Sequence, residues 1–500
     1  MVSEPTLTTK SSRAKGSSVI RYFSSLLLLV LAAASTCGAA GTEQVTLDTG
    51  TGVLAGSLLI PEGAGPYPVV LIIAGSGPTD RNGNSAMIGT PNNSLRQLAE
   101  GLAAGGIASL RYDKRGVAGS AAAALSEYEL RFDHMIDDAR RWCVLLQADD
   151  RFSSRTVAGH SQGSQVGSNA AWLAGADGFV SIAGIGRPVF DVLREQLAKQ
   201  LPMRNRVKAE EVMQSLEKGV LVEEPPQELM ILFRPSIQPY LISWQKLDPR
   251  VDVARFDGPV TIIQGATDIQ VTLEDAELLA EAQPRAQLVV LEGINHILKP
   301  VEGTNSLVHQ LSLGDSTKVI SPEAVTAVVE LTAEAEIYHR EKTAALTSVR
   351  SFNGTRIMGN TESEELFAEA ATRLKLGDRV GFWARRFLAD SEAEYRFGLA
   401  EDGYVGQGRL VLDERMDCVS LMYRCTELAR SGDPVEALLW ALRTRFSGAR
   451  PTAVVNQEGA VDYDRPEHLD FSLDMVRTAI WGRDISGQLS GVVADTVGSS

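Results

Sequence analysis

The chain has 500 residues, of which 44% are apolar and 22% charged, with 45 Gly and 20 Pro; this composition excludes collagen-like, coiled-coil and wholly disordered proteins. The chain has 48 Lys and Arg but 63 Asp and Glu, and the resulting net charge of −15 disfavours nucleic-acid partners. The four cysteines are too few for a disulfide scaffold, and the sequence has no C-x-x-C or H-E-x-x-H motif to indicate a zinc site. The length predicts two domains, or three at most.

Residues 1–40 have the pattern of a secretory signal, in which an apolar run, Leu26–Ala34, is followed by small residues through Ala40. The basic residues before this run are Arg13, Lys15 and Arg21. We expect cleavage near Ala40 and a periplasmic or extracellular protein, with an uncleaved anchor as the alternative. The residues before Cys37 fit a lipobox poorly, so lipoprotein anchoring is not expected.

Eight short apolar runs indicate β-strands, because most are β-rich and bounded by Gly, Pro or Asp. They are Val45–Leu47, Val53–Ile60, Val69–Ala74, Ile107–Tyr112, Thr156–Gly159, Phe179–Ile182, Val260–Ile263 and Leu288–Leu291. Helical patterns separate the later runs. In one of them, Asp133–Leu146, one face carries Met135, Ala139, Trp142 and Leu146. Strands and helices that alternate in this way predict an α/β fold with a parallel sheet covered on both faces.

Residues 187–256 interrupt the alternation before the seventh run. They have a helical pattern, with Leu193, Leu197 and Leu201 spaced four residues apart. We expect this segment to form a helical cap over the carboxyl edge of the sheet, where ligands usually bind in such folds.

A G-x-S-x-G motif, Gly159–Gly163, directly follows the fifth predicted strand and precedes an Ala-rich helix. This context is typical of a tight turn that lifts a serine hydroxyl to the edge of the sheet, at the N-terminus of a helix. Ser161 is therefore the predicted nucleophile. The alternative is a serine in an ordinary glycine-rich turn.

A serine nucleophile needs a base and a carboxylate that orients the base, and in sheets of this kind both follow late strands in the order Ser, acid, His. Asp268 follows the seventh run and His296 the eighth, so they are the predicted acid and base. His309 is the rival base, and Asp268 has the alternative role of a helix cap for the segment that begins at Thr272.

Two backbone amides are predicted to stabilise the oxyanion that forms during acyl transfer. One belongs to Gln162, the residue after the nucleophile, and the other to Ser76 in the glycine-rich loop after the third strand. Such donors contribute about 3 kcal/mol each to stabilising a transition state. This chemistry requires neither a metal nor an organic cofactor.

Several stretches resemble a group of bacterial α/β-hydrolase esterases related to serine aminopeptidases, and the resemblance covers residues 43–335. They are Gly75–Asn84, Leu110–Gly116, Gly159–Gly163, Phe233–Arg234–Pro235, Gln238–Tyr240, Gln264–Val271 and Asn295–His296. The resemblance implies an α/β-hydrolase sheet with a helical cap and ester hydrolysis by Ser161, Asp268 and His296. Because some relatives are assigned peptidase or thioesterase roles, the leaving group stays open.

The charged residues of the matching loops have two interpretations. Asp80 with Arg81, and Asp113 with Arg115, either shape the pocket or form structural ion pairs that tie the loops together. The second interpretation is favoured.

The last third of the chain is predicted to be separate. The hydrolase domain is assigned to residues 43–338, a linker to 339–364 and a smaller domain to 365–500. In the smaller domain, a helix is expected from about Cys418 to Ser431, with Cys418 in the first turn, where the dipole favours thiolate. Cys418, Leu421, Met422, Cys425 and Leu428 are expected on one helical face, so an inert core cysteine is the alternative.

This region resembles the papain-like, N-acetylmuramoyl-L-alanine amidase-like domains of bacterial envelope proteins, which implies a smaller α+β domain. The matching stretches are Gly381–Leu388, Asp417–Ser420, Arg465–His468 and Gly482–Ser486. By this resemblance Cys418 would be a nucleophile and His468 its base. The alternative is a degenerate domain that only binds the cell wall.

The sequence therefore predicts an exported serine hydrolase that cleaves small-molecule carboxylic esters through an acyl-enzyme. One alternative is a cell-wall amidase or peptidase that acts on peptidoglycan through Cys418 and His468. Another is a non-catalytic envelope-binding protein. Acyl-chain length, ester or peptide preference and oligomeric state are not predicted.

Overall fold

A computed structural model describes residues 41–353, except 86–87, 89, 303–307 and 309–311. Beyond these it describes 366–367, 369–370, 376–389, 394–395, 407, 409–411, 415–416, 418–446 and 449–463. The predicted signal segment, His309, His468 and the side chain of Cys418 lie outside the described part, so the assignments made for them stay predictions. In the described part, no helix is long and apolar enough to cross a membrane.

All eight predicted strands are present in one sheet. They are β1 (Gly41–Asp48), β2 (Val53–Ile60), β3 (Tyr67–Ile73), β4 (Ala108–Tyr112), β5 (Phe152–His160), β6 (Gly178–Ile182), β7 (Val260–Gly265) and β8 (Gln287–Leu291). Strands β3 to β7 are almost entirely buried, as their continuous apolar runs predict.

The strand order is β1-β2-β4-β3-β5-β6-β7-β8. From β4 to β8 the neighbouring strands are parallel, but β2 is antiparallel to both β1 and β4. The prediction of a parallel sheet was wrong at this edge. The tight turn between Asp48 and Val53, in which the Thr49 amide donates to the Gly52 carbonyl, can join only antiparallel strands.

After β3 the chain forms β4 on one side of that strand and then crosses back to form β5 on its other side, so the strand order reverses between β3 and β5. The carboxyl ends of β3 and β5 therefore flank the crevice where such sheets bind ligands.

Helices cover both faces of the sheet. Those that pack on the sheet are α1 (Ser94–Ala104), α2 (Phe132–Gln147), α3 (Gln162–Ala174), α9 (Leu273–Ala282) and α10 (Pro322–Asn353). The predicted apolar face of α2 is confirmed, since Met135, Ala139, Trp142 and Leu146 are all buried in one core cluster. Leu98 and Leu102 of α1 belong to the core cluster of the other face.

The segment predicted as a cap is helical. Its helices are α4 (Val189–Gln200), α5 (Met203–Glu217), α6 (Met230–Phe233), α7 (Gln238–Gln245) and α8 (Pro249–Ala254). Helix α7 is anchored to the core, because the Trp244 ring stacks on Phe132 of α2 with centroids 5.2 Å apart. The cap is thereby held against the sheet beside the carboxyl end of β5.

The assignment of residues 339–364 to a linker was wrong for its first half, because α10 continues to Asn353. Tyr338, Leu346 and Val349 are buried on this helix, and Lys342 donates to the Gly175 carbonyl oxygen at 2.9 Å. The predicted boundary at 338 therefore falls inside a helix that packs on the sheet. Residues 354–364 lie outside the described part.

The described C-terminal residues are mainly helical. The helices are α11 (Leu376–Ala389), α12 (Cys418–Arg430), α13 (Pro434–Arg445) and α14 (Pro451–Val454), and Glu394–Tyr395 pairs with Arg415–Met416 in a short parallel ladder. The predicted helix from Cys418 is confirmed and Cys425 is buried, but Met422 is 58% exposed and so does not share the buried face. The papain-like assignment stays a prediction, because much of the segment lies outside the described residues.

Candidate active site

Ser161 lies between the last residue of β5, His160, and the first residue of α3, Gln162. Its backbone has φ 55° and ψ −122°, a conformation that a residue with a side chain adopts only under strain. Its amide donates to the Ile182 carbonyl of β6 at 2.8 Å, which fixes the turn against the sheet. Backbone strain of this kind is concentrated at functional sites.

The two glycines of the motif are required by contacts within the turn. A Cβ on Gly159 would lie 2.0 Å from the Gly163 carbonyl oxygen, and a Cβ on Gly163 would lie 2.5 Å from the Ile73 carbonyl oxygen. Because neither distance is possible for a carbon atom, only glycine lets β5, the turn and α3 approach so closely.

His296 and Asp268 form a buried pair on the loops after β8 and β7. The His296 Nδ1 lies 2.7 Å from Asp268 Oδ2, and both side chains are almost fully buried. The other carboxylate oxygen accepts hydrogen bonds from the amides of Gln270 at 2.8 Å and Val271 at 3.1 Å.

The charge on Asp268 is stabilised despite its burial. Burial acts to raise its pKa, but the interaction with His296 and the two amide hydrogen bonds outweigh it, so the pKa of Asp268 is lowered. Asp268 therefore stays ionised and orients the imidazole, leaving Nε2 as the nitrogen that can accept a proton.

His160 connects the tight turn of the G-x-S-x-G motif, Gly159–Gly163 (the elbow), to this pair. Its ring centroid is 4.8 Å from that of His296, and its Nε2 lies 2.8 Å from the His296 carbonyl oxygen. Burial, with a smaller contribution from His296, lowers the pKa of His160 to about 3, so the ring is neutral. Because a carbonyl only accepts, Nε2 must carry the proton and donate. The structure thus places Ser161, His296 and Asp268 at one edge of the sheet.

The loop after β3 lies against the elbow. A Cβ on Gly75 would lie 3.3 Å from Ser161 Cβ. In the part of the chain that the structure describes, neither the Ser76 amide nor the Gln162 amide donates a hydrogen bond to another residue. Neither of the two predicted oxyanion donors is therefore taken up by a hydrogen bond within the described residues.

A cavity of about 390 Å³ opens beside Gln162, of a size suited to a small organic ligand. Lys114, Gln162 and Tyr240 contribute polar groups to it, and Arg115, Glu127 and Arg234 are further charged residues of its lining. Its apolar lining comes from Pro78, Val117, Leu130, Met135 and Ile237. Because Arg234, Ile237 and Tyr240 come from the cap segment and the remainder from α2, the start of α3 and the loops at the sheet edge, the cap completes the pocket.

Arg81, Asp113 and Arg115 form ion pairs, in line with the favoured interpretation, but neither Asp80 with Arg81 nor Asp113 with Arg115 is among these pairs, and Arg115 also lines the cavity. Arg81 contacts Asp113 through two nitrogens at 2.7 and 3.0 Å, and Arg115 contacts Asp138 at 2.6 Å. Asp80 accepts from the amides of Asn82 and Asn84 instead. These groups therefore hold the loops in place.

Sequence reasoning missed Lys114 and His160 as parts of the site. Lys114 is buried beside the loop after β3, and His160 forms a hydrogen bond with the backbone carbonyl of His296. The only sequence signal was their position, directly after a buried strand and directly before the nucleophile. Among the described residues, no group of three or more His, Cys, Asp and Glu side chains is placed to hold a metal ion.

Comparisons with known proteins agree with this architecture. The family described as serine aminopeptidase, S33, matches residues 92–299. Esterase EstD from Thermotoga maritima is 31% identical over 280 residues, which cover 55% of this chain and 66% of that relative.

Solved structures give weaker similarities. Est1E from Butyrivibrio proteoclasticus, solved with ferulic acid bound, is 17% identical with a TM-score of 0.39, over 58% of this chain and 99% of its own. A proline iminopeptidase from Mycobacterium smegmatis is 15% identical with a TM-score of 0.38, over 59% and 99%. The strand order, the elbow and the match over residues 92–299 together identify the N-terminal part of the chain as an α/β-hydrolase domain, similar to the serine aminopeptidase S33 family.

Proposed function

We propose that the protein is a serine hydrolase that cleaves carboxylic esters of small molecules, with Ser161, His296 and Asp268 as its triad. The observation that carries the proposal is the strained backbone of Ser161 at the end of β5, beside the His296–Asp268 pair. Its similarity to a protein named as an esterase supports ester substrates.

In the proposed reaction, Ser161 Oγ attacks the ester carbonyl carbon while His296 Nε2 takes the hydroxyl proton. The carbonyl oxygen becomes an oxyanion that accepts hydrogen bonds from the amides of Ser76 and Gln162. When the tetrahedral intermediate collapses, the alcohol leaves with the proton from His296 and the acyl group stays on Ser161. Water then attacks the acyl-enzyme by the same route and releases the acid.

Asp268 keeps the His296 proton on Nδ1 and stabilises the imidazolium that forms during each step. The burial of the pair supports this role, since water would otherwise compete for the 2.7 Å hydrogen bond. The pocket of about 390 Å³ accommodates one small acyl or alcohol group.

Replacing the proposed nucleophile tests the function directly. For Ser161→Ala we expect hydrolysis of p-nitrophenyl butyrate to fall by at least about 10³-fold and labelling by a fluorophosphonate to disappear. The matched control is Ser168→Ala, the same change about two turns further along α3, where the hydroxyl donates only to the Gln165 carbonyl. This variant should keep both ester hydrolysis and fluorophosphonate labelling.

Unchanged hydrolysis in Ser161→Ala would refute the assignment. Release of peptide from peptidoglycan that is kept in Ser161→Ala and lost in Cys418→Ala would favour the cell-wall amidase alternative instead.

A further inference from the structure

Lys114 is a buried cation beside the loop that carries Ser76. It lies two residues beyond the end of β4 and is 7% exposed. Its Nζ donates to the carbonyl oxygens of Gly75 and Gly77, the second at 2.8 Å. In the described residues no carboxylate forms an ion pair with it, so its partners are the carbonyls of this one loop.

These contacts determine where the Ser76 amide points. The carbonyl of Gly75 and the N–H of Ser76 belong to one trans peptide unit, in which the two groups point in opposite directions. Because the carbonyl is held towards Lys114, the N–H is directed away from it. The Ser76 carbonyl is held separately by the Thr79 hydroxyl at 2.8 Å, so the next peptide cannot turn over either.

The charge of the lysine also affects the amide as a donor. A cation bound to a carbonyl oxygen polarises the whole peptide unit and strengthens the hydrogen bond that its N–H can donate. In a buried site this effect is larger than in water.

We propose that Lys114 is a positioning residue that directs the Ser76 N–H towards the oxyanion and, when protonated, makes it a stronger donor. This rests on the proposed function, because it assigns a role within the same reaction. Lys114 also lines the cavity, but it acts on the oxyanion through the peptide unit and not by direct contact with that oxygen.

The titratable groups around Lys114 are mostly paired, and the nearest in pKa is Asp138, the partner of Arg115, whose pKa burial raises to about 6. The titratable groups around Lys114 itself are Arg115, Glu127, Arg234 and Tyr240 in the pocket, His160 at the end of β5, and Asp113 beside it in the chain. Arg115 is paired with Asp138, Asp113 with Arg81, and Glu127 with Arg234. The pKa of His160 is about 3, and hydrogen bonds from Arg234 lower that of Glu127 while burial raises that of Tyr240.

Burial lowers the pKa of Lys114 to about 7. The ammonium is therefore charged below this pH and neutral above it, so its contribution is present on the acidic side and lost as the pH rises. We therefore expect kcat of the wild-type protein to decline as the pH rises from about 7 to 8. The size of the decline is the share of kcat that depends on the charge of Lys114.

Two variants separate position from charge. For Lys114→Met, which removes both, we expect kcat for p-nitrophenyl butyrate to fall about 10- to 100-fold with KM nearly unchanged, and the alkaline decline to vanish. Lys114→Gln can still donate to one carbonyl without a charge, so its kcat should be intermediate and its profile also flat. Affinity for a trifluoromethyl ketone, whose adduct on Ser161 carries an oxyanion, should fall in parallel with kcat.

Lys342→Met is the control, because Lys342 is a second buried lysine that donates to a carbonyl, on the opposite edge of the sheet. Lys342 also pairs with the buried Asp177, so its loss should affect stability at least as much as that of Lys114. Lys342→Met should lower the melting temperature and leave kcat and the pH profile of the folded protein unchanged. The inference would be overturned if Lys114→Met kept the kcat and the pH profile of the wild-type protein. It would also be overturned if the loss of kcat in Lys114→Met were no larger than that in Lys342→Met. Failure of the wild-type protein to hydrolyse the ester would instead overturn the proposed function.

Discussion

His160 shows how one residue of the motif can serve the site without reacting. It occupies the position before the nucleophile, where the end of β5 makes its side chain buried, and its Nε2 donates to the His296 carbonyl oxygen. A charged ring there would lie beside the base and oppose its protonation, so a neutral His160 suits the proposed reaction.

The pKa of His160 makes the stability of the fold depend on pH. Between about pH 6.5 and pH 3 the unfolded chain binds a proton here that the folded chain does not, so the free energy of unfolding falls as the pH is lowered. In His160→Gln, the amide can still donate but cannot titrate. We expect the slope of the unfolding free energy against pH, measured by urea denaturation between about pH 4 and 6, to decrease by about 1.4 kcal/mol per pH unit.

His134→Gln provides the comparison. His134 is only partly buried at the start of α2, where its Nδ1 accepts from the Arg131 amide, and its pKa is also lowered, mainly by burial. Its removal should change the slope less. An unchanged slope in His160→Gln would mean that the histidine is protonated in the folded protein.

At the scale of elements, all eight strands could be predicted because each is a run of apolar residues between turn-forming residues. Ser161, Asp268 and His296 could be placed for the same reason, since each follows the end of a recognisable strand. The direction of β2 was missed because apolar runs give no information on whether neighbouring strands are parallel.

The remaining errors concern partners that are distant in the sequence. The C-terminal half of α10 is mostly polar and one of its buried positions is a lysine, so its sequence resembles a linker although Lys342 and Val349 pack on the core. Lys114 could not be assigned because its partners, Gly75 and Gly77, belong to a loop that only the fold brings to it.

The elbow makes a prediction at this scale. Gly163→Ala should lower the free energy of unfolding by about 3 kcal/mol or more and remove fluorophosphonate labelling, because its Cβ would overlap the Ile73 and Ala74 carbonyl oxygens. Gly381→Ala, in the middle of α11, is the matched change, since its Cβ would meet only the Arg385 guanidinium at 3.5 Å. It should stabilise the protein by about 0.5–1 kcal/mol. Equal effects on thermal unfolding would contradict the steric argument.

At the scale of the whole molecule, the C-terminal helices are joined to the hydrolase core. The Trp440 ring of α13 packs edge-on against Trp172 of α3, with centroids 5.1 Å apart, and belongs to the same buried cluster. Beside it, Arg443 forms a buried ion pair with Asp257 at 2.7 Å and donates to the Trp172 carbonyl oxygen. A tethered, independent domain would instead have a polar contact surface.

This ion pair tests whether the two parts unfold together. Arg443→Met leaves Asp257 charged and buried without its partner, so the free energy of unfolding should fall by about 3 kcal/mol. Adding Asp257→Asn should recover part of the loss, because the unpaired charge is then absent. The control is Arg386→Met. Its ion pair with Glu369 spans 3.6 Å and is about half exposed, so the loss should cost less than about 1 kcal/mol.

If the parts are coupled, urea transitions followed by far-UV circular dichroism and by loss of ester hydrolysis will shift together in Arg443→Met. An activity transition that stays in place while part of the helical signal melts earlier would show that α13 is not needed to hold the hydrolase core.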